Sequence, residues 1–512
     1  MGILDKIRKA QQREKDAVVA VATDSSPLSL KMTMEESLGV FGHSGFRNRQ
    51  QDVIEKIIGI PGGLLAVFPT GWGKSLCYQV PALMVDGMSI VVSPLIALMK
   101  DQVDKLKDLG VKAELINSSL TQKQYVKVME SVSSGSVDIL YVAPERFDNS
   151  TFMSEIFGMD IGLFVVDEAH CISRWGHDFR PSYTRLGDVI GRLRPKRVVA
   201  FTATATTAVQ GDICEQLKVP DAKRVVHGVW RDNLQVAMIP RIGKNRLGTI
   251  RILVEEYRRN GVSTGIIYSS TRKEATAICG FLKRNNLKAT LYHAGLKQRE
   301  RDDVQDDWAR DGGTIVATCA FGMGIDKADV RFVIHSGLCP SIEDWYQEIG
   351  RAGRDGKRSF CLSVWDHCDY EVQKFLIGLL NPDSKEVQKF WEWIRTRASC
   401  SGSADDKKVI LEMTQKEMSA QSKCASVGAC VGILKKVGAV NIVGRGRYEV
   451  SLTAPAKFDY AELSKNRNEK IAKLNELVSF FNSRECRGDY ICQYFGDESF
   501  SPGCGICDRC ES

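Results

Sequence analysis

The 512-residue chain contains no run of about 18 or more apolar residues, so no membrane-spanning helix is expected and a membrane is not an expected partner. Its opening stretch, MGILDKIRKA, lacks the apolar core of a secretory signal. A soluble, intracellular protein is therefore expected, nuclear in a eukaryote or in the cytoplasm and nucleoid of a prokaryote. No strong charge excess is present either: a net charge of +7 and a pI near 8.6 suit a polyanionic partner without identifying one. The sixteen cysteines form no disulfide framework, because most stand singly in apolar segments, as buried thiols in a reducing compartment do. With 43% hydrophobic and 26% charged residues, the composition excludes a mainly disordered chain.

The length allows roughly three to four compact units. Residues 1–33 are polar and basic, then rich in Ser, Thr and Pro, and read as an N-terminal extension and linker. From there GLLAVF, SIVVS, DILYVA, GLFVVDEA and RVVAFTA alternate with amphipathic segments, the rhythm of a parallel α/β sheet with helices on both faces. A second series, GIIYSS, ATLYHA, TIVATC and RFVIHS, closes near Trp365. The expected architecture is α/β: two tandem parallel-sheet domains over 34–220 and 221–380, a winged-helix-like domain over 381–458, and a helical segment with a small four-cysteine tail over 459–512. Within the third unit, residues 407–438 read as helices and 438–452 as a hairpin around Gly444, Arg445, Gly446 and Arg447.

FPTGWGKS (68–75) follows a strand-like run and precedes a helical one, where a phosphate-binding loop belongs. In that reading Thr70, Gly71 and Gly73 shape a backbone cradle, Lys74 reaches the terminal phosphates of ATP, and the Ser75 hydroxyl ligates Mg²⁺. The strict pattern has glycine where Phe68 stands. Further along, LFVVDEAH (163–170) puts two carboxylates at the end of a buried strand. Asp167 is the candidate Mg²⁺ ligand and Glu168 the group that orients the attacking water. In the second domain, QEIGRAGR (347–354) reads as the start of a helix whose spacing places Arg351 and Arg354 on one face, with Gln347 beside them. Arginines delivered to the γ-phosphate from a separate domain would tie hydrolysis to cleft closure.

Near the end, Cys486, Cys504, Cys507 and Cys510 form C-x17-C-x2-C-x2-C, a spacing that presents four thiolates to one tetrahedral Zn²⁺. A disulfide is the alternative, but it contributes about 2–4 kcal/mol against about 10–16 for structural zinc in small peptides.

These motifs resemble the RecQ family of superfamily-2 DNA helicases, from about Leu38 to Trp365, and the resemblance implies that the two parallel-sheet domains are RecA-like. The resemblance implies that FGHSGFRNRQ (41–50) recognises adenine, with Gln50 reading the base edge and His43 and Arg47 packing near base or phosphates. CISRWGHDFRP (171–181) looks like the family's aromatic-rich loop, in which Trp175 and Phe179 could stack on unpaired bases and Arg180 meet phosphate. FTATA (201–205) resembles the motif linking hydrolysis to strand binding. SPLIALM (93–99), YSSTR (268–272), HAG (293–295) and TIVAT (314–318) occupy the family's strand ends, with Ser93 and Thr318 as candidate DNA contacts. GMGID (322–326) would join the ATP cleft, through Asp326, to the DNA track. The family implies movement 3′ to 5′ on single-stranded DNA.

Two departures stand out. Trp72 replaces a glycine usual in the family and is expected to point out of the loop and leave activity intact. The winged-helix-like segment precedes the zinc cysteines rather than following them, which leaves open whether the hairpin, with Tyr448 near its tip, separates strands or is purely structural. The expectation is a monomeric ATP-dependent DNA helicase acting on single-stranded and duplex or branched DNA in repair, recombination or replication. A translocase or annealing factor without strand separation, an RNA helicase and a DNA-binding scaffold with a decayed ATP site are the rivals.

Overall fold

A computed structural model describes residues 28–510, apart from 48, 174, 175, 177, 241–244, 263, 323–326, 402–406 and 454–459. The first lobe is a seven-stranded, all-parallel sheet. Its strands are β1 (Gly63–Val67), β2 (Met88–Val92), β3 (Ala113–Ile116), β4 (Ile139–Val142), β5 (Ile161–Val166), β6 (Arg197–Thr202) and β7 (Lys223–Val226), in the order β3-β4-β2-β5-β6-β1-β7. Alternation sorts each central strand into two cores. Leu65 and Val67 of β1 join Ile90, Phe164 and Val166 on one face, while Leu64 and Ala66 join Val91, Leu163 and Val165 on the other. Both faces are covered by helices, so the central strands read as continuous apolar runs.

The second lobe repeats the plan with β8 (Leu234–Pro240), β9 (Gly265–Ser269), β10 (Ala289–Tyr292), β11 (Thr314–Ala317), β12 (Phe332–Ser336) and β13 (Ser359–Trp365), ordered β10-β11-β9-β12-β13-β8 and parallel throughout. The division expected at 220/221 is corrected by β7, which pairs with β1 and carries the first lobe to Val226. Being a half-exposed edge strand with the sequence KRVV, β7 gives no apolar run to read.

The third unit has helices Ser384–Ser399, Gln415–Ser422 and Val427–Lys436 and a three-stranded antiparallel sheet of β14 (Lys408–Glu412), β15 (Val440–Gly444) and β16 (Arg447–Ser451). That order is a winged-helix arrangement, with β14 inside the stretch expected to be wholly helical. Tyr448 is corrected: it is only 5% exposed and packs with Val409, Leu434 and Val450 in this unit's core. The side chains that the hairpin does expose are Ile442 and Val443.

The helix Tyr460–Asn482 and the following helix Arg487–Phe495 close the chain against the second lobe. Leu474, Phe480, Phe481 and Phe495 share a core with Trp345, Tyr346 and Trp365. Arg487, 0% exposed, donates to both carboxylate oxygens of Asp508 at 2.8 and 3.0 Å and to the Phe480 carbonyl. Such a bidentate pair satisfies a buried guanidinium that would otherwise be costly. No helix among the described residues is long and apolar enough to cross a membrane.

Two helical glycines give a paired test of packing. A Cβ on Gly187 would lie 2.1 Å from the Gln216 carbonyl oxygen, whereas one on Gly211 meets nothing within 4 Å. Gly187→Ala should therefore destabilise the first lobe by about 1–3 kcal/mol. Gly211→Ala should stabilise it by about 0.5–1 kcal/mol through helix entropy. Opposite shifts of the unfolding midpoint in urea check both.

Candidate nucleotide cleft and metal centre

The chain leaves β1 at Phe68, turns through Gly71 and Gly73 with φ of +80° and +81°, and enters the helix Lys74–Met84. A left-handed backbone at both positions requires glycine and leaves loop amides facing the cavity. Lys74 Nζ donates only weakly, to the Phe68 carbonyl at 3.3 Å. Thr70 Oγ1 is buried and makes no hydrogen bond among the described residues. These are the features of a loop built for a phosphate.

Asp167 follows β5, and Glu168 sits in the left-handed region with φ +48° and ψ +47°. For a non-glycine residue that conformation is uncommon and costly, and the Glu168 side chain lines the cleft. Its Oε2 accepts no hydrogen bond among the described residues and lies 3.4 Å from His170 Nδ1. His170 in turn contacts Thr202 Oγ1 at 2.9 Å, joining the paired carboxylates to the end of β6. Burial, with the Glu168 charge beside it, pushes the Asp167 carboxyl up to about 7, against Lys74, which holds it down. A divalent cation at this point would reverse that shift, so the donor set of Asp167 and Ser75 suits Mg²⁺.

The second lobe supplies the opposite wall. Gln347, Arg351 and Arg354 line one cavity of about 360 Å³ with Thr70, Lys74, Asp167 and Glu168. The helix Ile342–Ile349 ends at the arginines instead of beginning there, because Gly350 caps it and Gly353 turns with φ +56°. The convergence of Arg351 and Arg354 is thus made by a turn, not by helix periodicity. That turn is held by connector residues with no recognisable spacing in the sequence: Arg231 donates to the Gly350 carbonyl at 3.1 Å, and Asn233 to the Gly353 carbonyl at 2.8 Å.

An adjoining cavity of about 860 Å³ is lined by His43, Arg47, Gln50, Trp72, Arg231 and Arg354, among others. Gln50 is turned toward the phosphate loop: its Nε2 donates to the Trp72 and Gly73 carbonyls at 3.2 and 3.3 Å, and its Oε1 accepts from Arg47 N at 2.9 Å. Trp72 does not point out of the loop as expected but lies flat on Phe68.

The DNA contacts fare differently. Trp175 and Asp326 lie outside the described residues. Phe179 is half-buried, and Arg180 is engaged by Asp178 at 3.0 Å and the Pro94 carbonyl at 2.9 Å, so it braces the aromatic-rich loop against the first lobe. Ser93 and Thr318 are buried, and Tyr448 belongs to a core. Of Arg180, Ser93, Thr318 and Tyr448, none is presented freely to a strand.

The thiols of Cys486, Cys504, Cys507 and Cys510 lie within 4.8 Å of one another. Cys504 and Cys510 sulfurs are 3.9 Å apart and Cys507 and Cys510 3.6 Å. A tetrahedral zinc with Zn–S of about 2.3 Å requires edges of about 3.8 Å, so the four fit. Backbone amides of Cys504 and Arg487 donate to the Cys486 and Cys507 sulfurs at 3.1 and 3.4 Å. Cys492 stands apart in the second-lobe core.

Comparison with known proteins follows the same division. Residues 47–211 match the DEAD/DEAH box helicase model, 248–356 the helicase conserved C-terminal domain, and 454–511 the RecQ zinc-binding model. A probable ATP-dependent DNA helicase RecS of Bacillus subtilis (strain 168) is 34% identical over 92% of this chain and 90% of its own length. The ATP-dependent DNA helicase RecQ of the same organism is 42% identical over 68% of this chain, which spans 58% of that relative. Among solved structures, a variant of S. cerevisiae Dbp5 bound to RNA and ADP BeF3 superposes with a TM-score of 0.51 at 18% identity, over 69% of this chain and 93% of that one, a likeness of fold. With paired parallel-sheet lobes, a shared phosphate-and-arginine cleft and a four-cysteine tail, and with RecS similar along nearly its whole length, the chain belongs to the RecQ family of superfamily-2 helicases.

Proposed function

We propose that this chain is an ATP-driven DNA helicase that steps 3′ to 5′ along single-stranded DNA and opens duplex or branched DNA in repair, recombination or replication, acting as a monomer. The observation that carries the reading is the meeting of Lys74, the Asp167 and Glu168 carboxylates and the Arg351 and Arg354 guanidiniums around one cavity formed by both lobes. Lys74 and the loop amides hold the β- and γ-phosphates, and Mg²⁺ on Ser75 and Asp167 supplies charge neutralisation. Glu168 orients the attacking water, Arg351 and Arg354 meet the developing charge, and Gln347 lines the same wall. The larger cavity takes the adenosine beside His43, Arg47 and Gln50. The names of the relatives, ATP-dependent DNA helicases, support DNA as the strand on which the motor works.

Burial of Tyr448 favours a second reading, a translocase that moves on DNA without parting it, because the hairpin lacks an exposed aromatic wedge. Unwinding of forked and tailed duplexes, set against ATP turnover on single strands, separates the two; turnover without unwinding selects the translocase, and duplexes tailed on either end report the direction.

Lys74→Ala should abolish DNA-stimulated ATP hydrolysis, and Arg354→Ala should lower it by about 10³- to 10⁵-fold, the usual contribution of such an arginine. Undiminished turnover in either purified variant sinks the assignment of that residue. The four-cysteine cluster should hold zinc at near-stoichiometric level in the purified protein, and Cys507→Ser should lose it together with part of the thermal stability of the second lobe. Metal analysis alongside a melting curve decides this.

A further inference from the structure

The two residues that depart from the usual phosphate-loop pattern lie against each other. Phe68, at the loop's entry, is fully buried, and the Trp72 ring stacks on it with centroids 4.6 Å apart and planes 6° from parallel. The stack spans the loop from its first residue to the one before Gly73, bridging the positive-φ glycine at 71. Both ring-bearing residues also hold the loop through their carbonyls: Phe68 O accepts from Lys74 Nζ at 3.3 Å and Trp72 O from Gln50 Nε2 at 3.2 Å.

The indole has a second neighbour. A Cβ on Gly228 would stand 3.4 Å from Trp72 Nε1, so the ring rests on the connector between β7 and β8. From the other side the connector is held by the tail: His227 Nδ1 lies 2.6 Å from Ser499 Oγ, and Val229 N donates to Asp497 Oδ2 at 2.8 Å. The half-buried indole also lines the larger of the two cleft cavities, beside Gln50 and Arg231. Ordinary core packing would explain a buried ring, but not one poised between the phosphate loop, the connector and an open cavity.

We propose that Trp72 is a positioning residue for the nucleotide: its stack on Phe68 keeps the loop in its phosphate-ready curvature before a ligand arrives, and its edge seats the loop on the inter-lobe connector. A flexible loop loses conformational entropy when it closes on phosphate, and a preset one does not. The inference rests on the cleft being an ATP site.

The test uses the full zinc-loaded protein and a fluorescent N-methylanthraniloyl derivative of MgADP, titrated into wild type, Trp72→Gly and Trp72→Phe, with ATP turnover on saturating single-stranded DNA and melting curves alongside. Trp72→Gly should weaken ADP binding by about two- to tenfold, the range of one aromatic stack. KM for ATP should rise by a similar factor and kcat should change less, with the melting curve showing the variant folded at the assay temperature. Trp72→Phe, which keeps a stacking ring, should restore binding to within about twofold of wild type. If Trp72→Gly does not fold, Trp72→Leu, apolar but ringless, carries the same expectation. Wild-type affinity in the ringless variants, or an equal loss in Trp72→Phe, overturns the proposal. Failure of the wild type itself to bind the ADP derivative overturns the ATP-site reading and, with it, this one.

Discussion

The approach of the two lobes is limited by bare backbone. A Cβ on Gly71 would stand 2.8 Å from Arg354 Cγ, and one on Gly350 only 2.0 Å from Thr70 Oγ1. Any side chain at these points wedges the cleft open and carries the arginines away from the phosphate loop. With glycine there, Lys74, Arg351 and Arg354 gather around Asp167 and Glu168 in a space of about 360 Å³. Cations so close repel one another, and two adjacent buried carboxylates do the same. The arrangement is tolerable because the two signs interleave. Among the described residues the buried Thr70 Oγ1 and Arg351 Nε make no hydrogen bond.

Much of this is legible in the sequence. GLLAVF, SIVVS and GLFVVDEA are central parallel strands, and strands covered on both faces must be apolar at every position. The edges are not legible: β3 and β7 are four residues each and partly exposed, so burial imposes no pattern on them. The phosphate loop, the paired carboxylates and the four cysteines stand out by spacing, since each must present several groups to one point. Arg351 and Arg354 are rightly paired by helical spacing but for the wrong reason, because the geometry is that of a turn stopped by Gly350 and Gly353. Tyr448 could have been placed correctly from pattern alone. In a hairpin, alternate residues share a face, and Tyr448 shares its face with Val450, which is fully buried. Arg180, Ser93 and Thr318 show the opposite difficulty, because a motif names residue types without saying whether they face a ligand or brace the elements that do.

The position of the winged-helix unit between the second lobe and the cysteines does not disturb the tail's own contacts. The long helix Tyr460–Asn482 brings the chain back so that Leu474, Phe480 and Phe481 complete the core around Trp345 and Trp365. The inserted unit, closed around its own core of Phe390, Trp391, Val431 and Tyr448, therefore needs no share of the lobe's packing. Such an insertion is tolerated because the chain leaves and re-enters at two helices that pack together, His367–Leu380 and Tyr460–Asn482.

The tail is more than a stabiliser of the second lobe, since it also touches the first. The Gln210 amide, on the helix after β6, donates both to the Ala205 carbonyl at 2.9 Å and to the Phe495 carbonyl at 3.2 Å. Asp508 meanwhile accepts from Met238 N in β8 at 3.1 Å and pairs with the buried Arg487. One small module thus holds the strand end that follows the paired carboxylates and the first strand of the opposite lobe, with the connector between them. The second-lobe side is the firmer one: besides Met238 N donating to Asp508, the Asp508 amide donates to the Val236 carbonyl at 3.0 Å, and Ile491 and Phe495 share the core of Trp345 and Tyr346. On the first-lobe side the Gln210 contact is a neutral hydrogen bond, worth about 0.5–1.5 kcal/mol. The tail is thus built into the second lobe through its core and meets the first through a lighter polar contact.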